Sequence, residues 1–251
     1  MAQHWPSRLW IVRHGESAGN VARDTAHALG GEDIAIEARD VDVPLSALGE
    51  QQAAALGRWF ASLPSEERPE VILSSPYLRA RSTAAAVHAA SAPSIDIVAD
   101  ERLREREFGI LDRLTKLGIE RRHPELAQSR LLMGKFYFRP PGGESWCDVI
   151  LRLRSVLESV SLHYPDKRVL IVGHQVVVLC FRYLIEKLDE IAILDIDAAA
   201  DVANCSVTEY RLDQRNECGA TLKLMRYNFL APLEAEGAPV TTAPDAKVAA
   251  R

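Results

Sequence analysis

The chain has 251 residues, 47% of them hydrophobic and 26% charged, which is typical of a globular protein with a sizeable core. Its formal net charge of -5 argues against a nucleic-acid-binding domain, because such domains are normally basic. The longest apolar region, 169–181, is interrupted by Gly173-His174-Gln175 and is shorter than the roughly 20 residues that span a bilayer. The N-terminal residues show no secretory pattern and the four cysteines form no paired motif, so we expect a cytoplasmic protein with reduced thiols.

Strand and helix patterns alternate along the chain. The predicted strands are residues 9–12, 71–73, 95–98, 169–172, 206–212 and 221–227. Helices are predicted from a cap at Ser46 to Pro64, and over 77–90, 146–163 and 176–187. The alternation predicts an α/β fold, a three-layer α/β/α sandwich with a mixed, mostly parallel sheet.

Two segments and the C-terminal region interrupt this alternation. Residues 21–43 are mixed in character, and residues 110–141 are polar and basic, so the latter are predicted to form a cap inserted over one edge of the sheet. After Phe229 the chain has no aromatic residue and carries three prolines. We therefore predict a catalytic domain over 1–229 and a disordered tail over 230–251.

Two histidines follow predicted strands directly. His14 stands in Arg13-His14-Gly15 after the first strand, and His174 stands between Gly173 and Gln175 after the strand at 169–172. Ligands of open α/β sheets bind beyond the carboxyl ends of the strands. Imidazole is a good nucleophile at neutral pH, and an arginine fork binds phosphate oxygens, so the pattern favours phosphoryl chemistry. For either histidine alone, a turn residue with a structural hydrogen bond is the competing interpretation.

Two further segments become informative beside these histidines. Arg79 is predicted in the first turn of the helix at 77–90, where free N–H groups attract anions. Glu105 lies in the alternating charges of Leu103-Arg104-Glu105-Arg106-Glu107, which would by themselves indicate a solvated surface. A phosphate pocket also needs a proton donor, and a carboxyl group there could supply one.

Six ordered motifs between residue 9 and about 210 resemble the histidine phosphatase superfamily, in the branch of cofactor-dependent phosphoglycerate mutase and fructose-2,6-bisphosphatase. They read LWIVRHGESAGN (9–20), VPLSALGEQQA (43–53), ILSSPYLRARSTA (72–84), LREREFG (103–109), PGGES (141–145) and VGHQ (172–175).

The resemblance implies a role for each matching residue. His14 would attack phosphorus and become phosphohistidine, while Arg13, Arg79 and His174 would surround the transferring oxygens. Glu105 would protonate the leaving oxygen and then activate water. Ser17 and Asn20 match positions that touch phosphate or substrate. No metal and no other cofactor is expected, because the cationic side chains can stabilise the charge and no compact ligand cluster is visible in the sequence.

Departures from the mutase pattern favour a phosphatase. Residues 21–43 are longer than the corresponding mutase loop, whereas residues 135–145 resemble the bisphosphatase, which implies that Arg139 and Lys135 contact distal groups of the substrate. A lid anchored by aromatic residues, without direct substrate contact, is the alternative for this segment. The sequence therefore predicts a metal-independent phosphatase acting on a small phosphorylated metabolite, without nucleic-acid or membrane partners. A phosphoglycerate mutase and a non-catalytic phospho-ligand-binding protein are the alternatives. Oligomeric state, a homodimer included, stays open.

Overall fold

The carboxyl ends of four parallel strands create one polar edge in this molecule. A computed structural model describes residues 4–213, 220–235 and 237–242. The strands in these ranges are β1 (Arg8–Arg13), β2 (Val71–Ser74), β3 (Ile97–Ala99), β4 (Arg168–Gly173), β5 (Val207–Asp213) and β6 (Thr221–Phe229). They form one sheet in the order β3-β2-β4-β1-β5-β6, in which β3, β2, β4 and β1 pair in parallel, whereas β5 pairs antiparallel with β1 and β6 pairs antiparallel with β5. The predicted mixed, mostly parallel sheet is confirmed.

Helices cover both faces of this sheet. In the described ranges they are α1 (Ala18–Ala28), α2 (Ala47–Ser62), α3 (Leu78–Ser91), α4 (Lys116–Arg122), α5 (Pro124–Tyr137), α6 (Trp146–His163), α7 (Gln175–Glu186), α8 (Glu190–Ala199) and α9 (Ala231–Glu234). Side chains of α2 and α3 share one core with one face of the sheet, and those of α6 and α7 share a second core with the other face. These two cores make the three layers that the sequence predicts.

The sequence of β1 is almost wholly apolar because both faces of this strand are buried. Trp10 and Val12 are buried in the core with α2 and α3, whereas Leu9 and Ile11 are buried in the core with α6 and α7. A strand covered on both faces needs apolar residues at every position rather than at alternate ones. The chain leaves this strand at Arg13, so the next residue, His14, lies at the polar edge.

Among the helices described, α1, α4, α5, α8 and α9 were absent from the sequence prediction. The apolar residues of α1 do recur with helical periodicity, but its apolar face is short and mostly alanine, and Ala26 is its one buried residue. α8 is apolar on several sides and shows no clear stripe. The third strand also begins at Ile97, two residues later than predicted.

The segment predicted as a cap, 110–141, contains α4 and α5. Side chains of both helices line the same cavity as His14, so the segment covers the polar edge of the sheet. Near its end α5 is kinked at Gly134, whose φ of 77° lies in the left-handed region that glycine adopts without strain.

The predicted start of the disordered tail is wrong. Residues 231–234 form α9, and Leu233 is fully buried in the core beside α2. The carbonyl of Pro239 also accepts a hydrogen bond from Gln52 at 2.9 Å. The sequence did not predict this packing, because the segment consists mostly of prolines and small residues and a single leucine anchors it. Residues 243–251 of the predicted tail lie outside the described residues. Among the helices described here, none has both the length and the apolar composition to cross a membrane.

Candidate active site

A cavity of about 290 Å³ opens at the polar edge of the sheet. Its inner wall includes Arg13, His14, Arg79 and Glu105, which come from three different segments of the chain. His174 lies directly behind His14, with the centroids of the two imidazole rings 5.1 Å apart. The structure thus brings together the five residues to which the sequence analysis assigned catalytic roles.

The geometry of His14 fixes its tautomer. Its Nδ1 lies 2.7 Å from the carbonyl oxygen of Gly15, and since a carbonyl can only accept, the ring proton resides on Nδ1. The other nitrogen, Nε2, carries the lone pair and accepts from Nε of Arg79 at 3.3 Å. His14 therefore presents a nucleophilic nitrogen beside a cationic group.

The loop that carries His14 is fixed at every backbone polar group of residues 14–16. The pairs are His14 N to Gly173 O, Asn204 Nδ2 to His14 O, Gly15 N to Thr83 Oγ1, His14 Nδ1 to Gly15 O, Glu16 N to Gln52 Oε1, and Ser46 N to Glu16 O. Gly15 also admits no side chain, because a Cβ there would lie 2.6 Å from the carbonyl oxygen of Gly49. Such anchoring is what a nucleophile held in one orientation requires.

Burial and positive charge keep both histidines neutral. Desolvation, with Arg79 and Arg13 nearby, holds the pKa of His14 well below its ordinary value near 6.5. Desolvation and Arg79 also hold the pKa of His174 well below its ordinary value. A neutral His14 retains its Nε2 lone pair at neutral pH, which nucleophilic attack requires.

Glu105 and Ser75 hold the two sides of His174. The Nε2 atom of His174 lies 2.8 Å from Oγ of Ser75, and its Nδ1 lies 3.4 Å from Oε2 of Glu105. Glu105 is partly exposed to the cavity and accepts a hydrogen bond from the backbone N–H of Arg106 at 2.9 Å. Its carboxyl group therefore lies between the buried imidazoles and the space open to a ligand.

Arg79 already binds a carboxylate of the protein. Its Nη1 and Nη2 donate to the two carboxylate oxygens of Asp40 at 2.9 and 3.2 Å, and Nη1 also donates to the Asp40 carbonyl at 2.6 Å. Arg13 is buried and donates to the carbonyl of Val202 at 2.5 Å. Both guanidinium groups are thus oriented by oxygen partners before any phosphate is bound.

Ser17 and Asn20 line the cavity at the beginning of α1. Ser17 is the N-cap of this helix, and its Oγ accepts from the backbone N–H of Asn20 at 3.2 Å. The Asn20 side chain accepts in return from the backbone N–H of Ser17 at 3.0 Å. The first turn of α1 thus lies on the wall of the cavity, where the helix dipole favours an anion.

Arg139 does not lie where the resemblance implied. Its side chain is 65% exposed, donates to the carbonyl of Gly143 at 3.0 Å and does not line the cavity. The adjacent Phe138 is buried, which turns the following residue outward. Lys135 does line the cavity, but its Nζ is bound to the Asp197 carboxylate at 2.6 Å. The structure therefore does not bring Arg139 together with the other predicted site residues, and its contact with the substrate stays a prediction.

Sequence reasoning missed the groups that hold Glu105 in place. Glu144 is bound by Arg152 through two contacts of 2.9 and 3.0 Å and by Arg104 at 2.8 Å. Arg152 also donates to the carbonyl of Glu105 at 3.2 Å. The PGGES motif contains Glu144 and could have indicated it, whereas Asp40 lies in the mixed segment and carried no signal.

His14, Glu105 and His174 also form a compact trio that the sequence did not reveal. Their nearest nitrogen and oxygen atoms all lie within 4.8 Å of one another, close enough to hold a metal ion. Arg79 and Arg13 are near enough to lower the pKa of both histidines, so they would repel a cation as well. The surrounding charge suits an anion better than a divalent cation.

The outer part of the cavity is more apolar than the inner wall. Aliphatic and aromatic side chains predominate there, among them those of Ile36, Val43, Leu114, Ile119 and Phe138. Basic side chains interrupt this surface at Arg23, Lys116 and Arg130. A ligand would therefore place its charged end against the arginines and histidines, and the rest of its surface against mostly apolar walls.

This fold and this site define a phosphate-handling protein with a histidine at its centre. A sequence model of the histidine phosphatase superfamily (branch 1) matches residues 9–225, and the chain belongs to that superfamily.

Similar proteins are found among curated sequences and solved structures. The chain is 30% identical over 217 residues to a 6-phosphofructo-2-kinase/fructose-2,6-bisphosphatase from Caenorhabditis elegans, covering 83% of this chain and 42% of that protein. It is 32% identical over 173 residues to a probable phosphoglycerate mutase, GpmB, from Salmonella paratyphi C, covering 69% of this chain and 72% of that protein. The structure of a mycobacterial glucosyl-3-phosphoglycerate phosphatase superimposes with a TM-score of 0.68 at 25% identity, over 89% of this chain and 99% of that one.

Several curated relatives are much longer than the matched region. The match spans 42% of the Caenorhabditis elegans protein and 42% of mycobacterial relatives. Membership of the superfamily is thus shown over most of this chain, whereas the activities of those longer proteins belong to them.

Proposed function

We propose that this protein is a metal-independent phosphatase that hydrolyses a phosphomonoester through a phosphohistidine intermediate at His14. The observation that carries the proposal is the Nδ1–H tautomer of a neutral His14, whose Nε2 lone pair is 3.3 Å from Nε of Arg79. Attack by Nε2 on phosphorus forms the N–P bond while the bond to the ester oxygen breaks. Arg13, Arg79 and the N-terminus of α1 would stabilise the negative charge on the transferring oxygens.

Glu105 is the carboxyl group placed to donate and accept protons. In the first step it would donate a proton to the departing alkoxide, and in the second it would take a proton from the water that attacks phosphohistidine. Its position between His174 and the cavity supports both roles. A positioned acid or base typically contributes about 10²–10⁴-fold to such a step.

The cavity walls support a leaving group with apolar surface. Ile36, Val43 and Leu114 would contact carbon rather than hydroxyl groups, which favours an organic phosphate larger than glycerate. The mutase alternative is less well supported, because residues 21–43 depart from the mutase loop.

Trapping the intermediate tests the proposal directly. Acid-labile, base-stable phosphate should appear on His14 when turnover of p-nitrophenyl phosphate is quenched with base, and His14→Ala should abolish both the phosphate and the burst of product. Leu162→Ala, on the exposed side of α6, serves as a matched control and should retain both. Turnover that survives His14→Ala, or that EDTA removes and Mg²⁺ or Zn²⁺ restores, would refute the proposal in favour of metal-dependent hydrolysis.

A further inference from the structure

The segment after α9 contacts residues that hold the nucleophile loop, and its Thr241 is not among the residues that line the substrate cavity. Thr241 Oγ1 accepts a hydrogen bond from Nε2 of Gln52 at 2.9 Å and donates one to Oδ1 of Asn204 at 3.0 Å. The backbone N–H of Asn204 also donates to the Thr241 carbonyl at 3.1 Å. One hydroxyl group therefore bridges two side-chain amides that belong to distant parts of the chain.

Both bridged amides continue to the loop of the nucleophile. Oε1 of Gln52 accepts from the backbone N–H of Glu16 at 2.9 Å. Nδ2 of Asn204 donates to the carbonyl of His14 at 3.0 Å. Each amide thus uses one end to hold the nucleophile loop and the other end to contact Thr241.

Burial makes the two amide groups depend on these hydrogen bonds. Gln52 and Asn204 are both fully buried, so their amide groups need protein partners in place of water. Gln52 keeps a second acceptor in the carbonyl of Pro239 at 2.9 Å. Asn204 Oδ1 receives its hydrogen from the Thr241 hydroxyl, and without it the Asn204 amide could rotate and release the His14 carbonyl.

We infer that Thr241 is a positioning residue: its hydroxyl group fixes Gln52 and Asn204, which in turn hold the backbone on both sides of the His14 imidazole. The hydrogen bond from His14 Nδ1 to the Gly15 carbonyl depends on this backbone, so the direction of Nε2 depends on it too. Misplacement of a reacting atom by about 1 Å can cost as much as 10²-fold in rate. Thr241 does not line the substrate cavity, so its effect should be confined to the chemical step.

The inference rests on the proposed phosphohistidine chemistry, and three full-length variants test it. Thr241→Val removes the hydroxyl and keeps the shape, Thr241→Ser retains the hydroxyl, and Thr242→Val changes an exposed neighbour. Burst kinetics with p-nitrophenyl phosphate should show His14 phosphorylation slowed about tenfold or more in Thr241→Val, with KM changed less than twofold. Thr241→Ser and Thr242→Val should stay within twofold of the wild-type rate.

Amide hydrogen exchange supplies a readout that does not depend on turnover. The N–H of Glu16 should exchange at least tenfold faster in Thr241→Val than in the wild type, and at the wild-type rate in Thr242→Val. A Thr241→Val variant with wild-type burst rate, or equal losses in both valine variants, would overturn the inference. Wild-type protein that forms no phosphohistidine would instead refute the proposed function, while the exchange measurement would still decide whether Thr241 holds the loop.

Discussion

Asp40 and a substrate phosphate would compete for the same guanidinium group of Arg79. The Asp40 carboxylate is about half exposed, so its pair with Arg79 contributes modestly, on the order of 1 kcal/mol or less. Replacement by asparagine removes both the competing charge and its repulsion of phosphate. We expect Asp40→Asn to tighten inhibition by inorganic phosphate or vanadate by up to about fivefold.

A neighbouring carboxylate provides the control for that prediction. Asp42 lies in the same turn but pairs with the exposed Arg39 instead of Arg79. Asp42→Asn should leave the inhibition constants unchanged. Equal effects of the two substitutions would mean that overall charge, rather than competition for Arg79, controls anion binding.

The neutral histidines also make stability depend on pH. Because the pKa values of His14 and His174 are lowered on folding, the unfolded chain takes up protons first as the pH falls below about 6.5. The free energy of unfolding should therefore decrease with falling pH in that range, by up to about 1.4 kcal/mol per pH unit for each histidine. Above pH 7 both states are neutral at these positions, and the dependence disappears.

His14→Asn isolates one of these contributions. Urea unfolding at pH 7.5 and pH 5.5 should show a smaller loss of stability in the variant than in the wild type. Titrating groups far from His14 contribute equally to both proteins and cancel, whereas the His174 contribution also falls in the variant because His14 helps to lower the pKa of His174. The same loss in both proteins would show that His14 is protonated in the folded state.

At the level of elements, the beginning of α2 is in backbone contact with the nucleophile loop. A Cβ on Gly49 would lie 1.8 Å from the carbonyl oxygen of Glu16, so α2 or the loop must move to accommodate alanine. We expect Gly49→Ala to destabilise the protein by roughly 1–3 kcal/mol and to slow phosphorylation of His14. Thermal unfolding and burst kinetics measure the two effects.

Gly31→Ala serves as the matched control for Gly49→Ala. A Cβ at Gly31 would meet its nearest neighbour, the Ala26 carbonyl oxygen, at 3.4 Å, and its φ is not in the left-handed region. This variant should therefore retain the wild-type burst rate. If Gly49→Ala also retains it, the tight contact with Glu16 does not position His14.

Strands and helices whose sequences carry a strong apolar pattern could be predicted, whereas those without such a pattern could not. β1 and β4 are apolar on both faces, so their sequences indicated buried strands and placed His14 and His174 at one edge. α1 buries one alanine, and its capping box between Ser17 and Asn20 is a local signal too weak to predict eleven residues of helix.

The same contrast holds within the site. Residues with a motif around them, such as Arg79 and Glu105, could be assigned from the sequence. Asp40, Asn204 and Thr241 owe their positions to contacts between segments far apart in the chain, and no local pattern encodes those. Arg139 shows the opposite case, because its motif matches while its side chain is exposed and points away from the residues that line the cavity.

At the scale of the whole molecule, the cavity between the sheet and the α4–α5 segment determines what the leaving group can be. If its mostly apolar walls contact the substrate, each buried methylene should contribute about 0.8 kcal/mol, close to fourfold in kcat/KM. We expect kcat/KM to rise from ethyl to butyl to hexyl phosphate, and to exceed the value for 3-phosphoglycerate.

Two isoleucine variants show whether the cavity wall is responsible. Ile36→Thr should flatten this chain-length dependence, because Ile36 lines the cavity. Ile191→Thr, at an exposed position on α8, should preserve it. A flat dependence in the wild type would mean that the alcohol portion of the substrate stays in solvent.

The position of β1 has a consequence for how the protein is made. Both neighbours of this strand in the sheet, β4 and β5, lie more than 150 residues further along the chain and are therefore synthesised later. Pairing over such sequence distances gives a high contact order, which slows folding. At about 5–20 residues per second, roughly 10–45 s of translation separate His14 from Thr241. During that interval the ribosome-bound chain carries the His14 imidazole without the partners that orient it, so the proposed activity cannot arise before residue 241 has been synthesised.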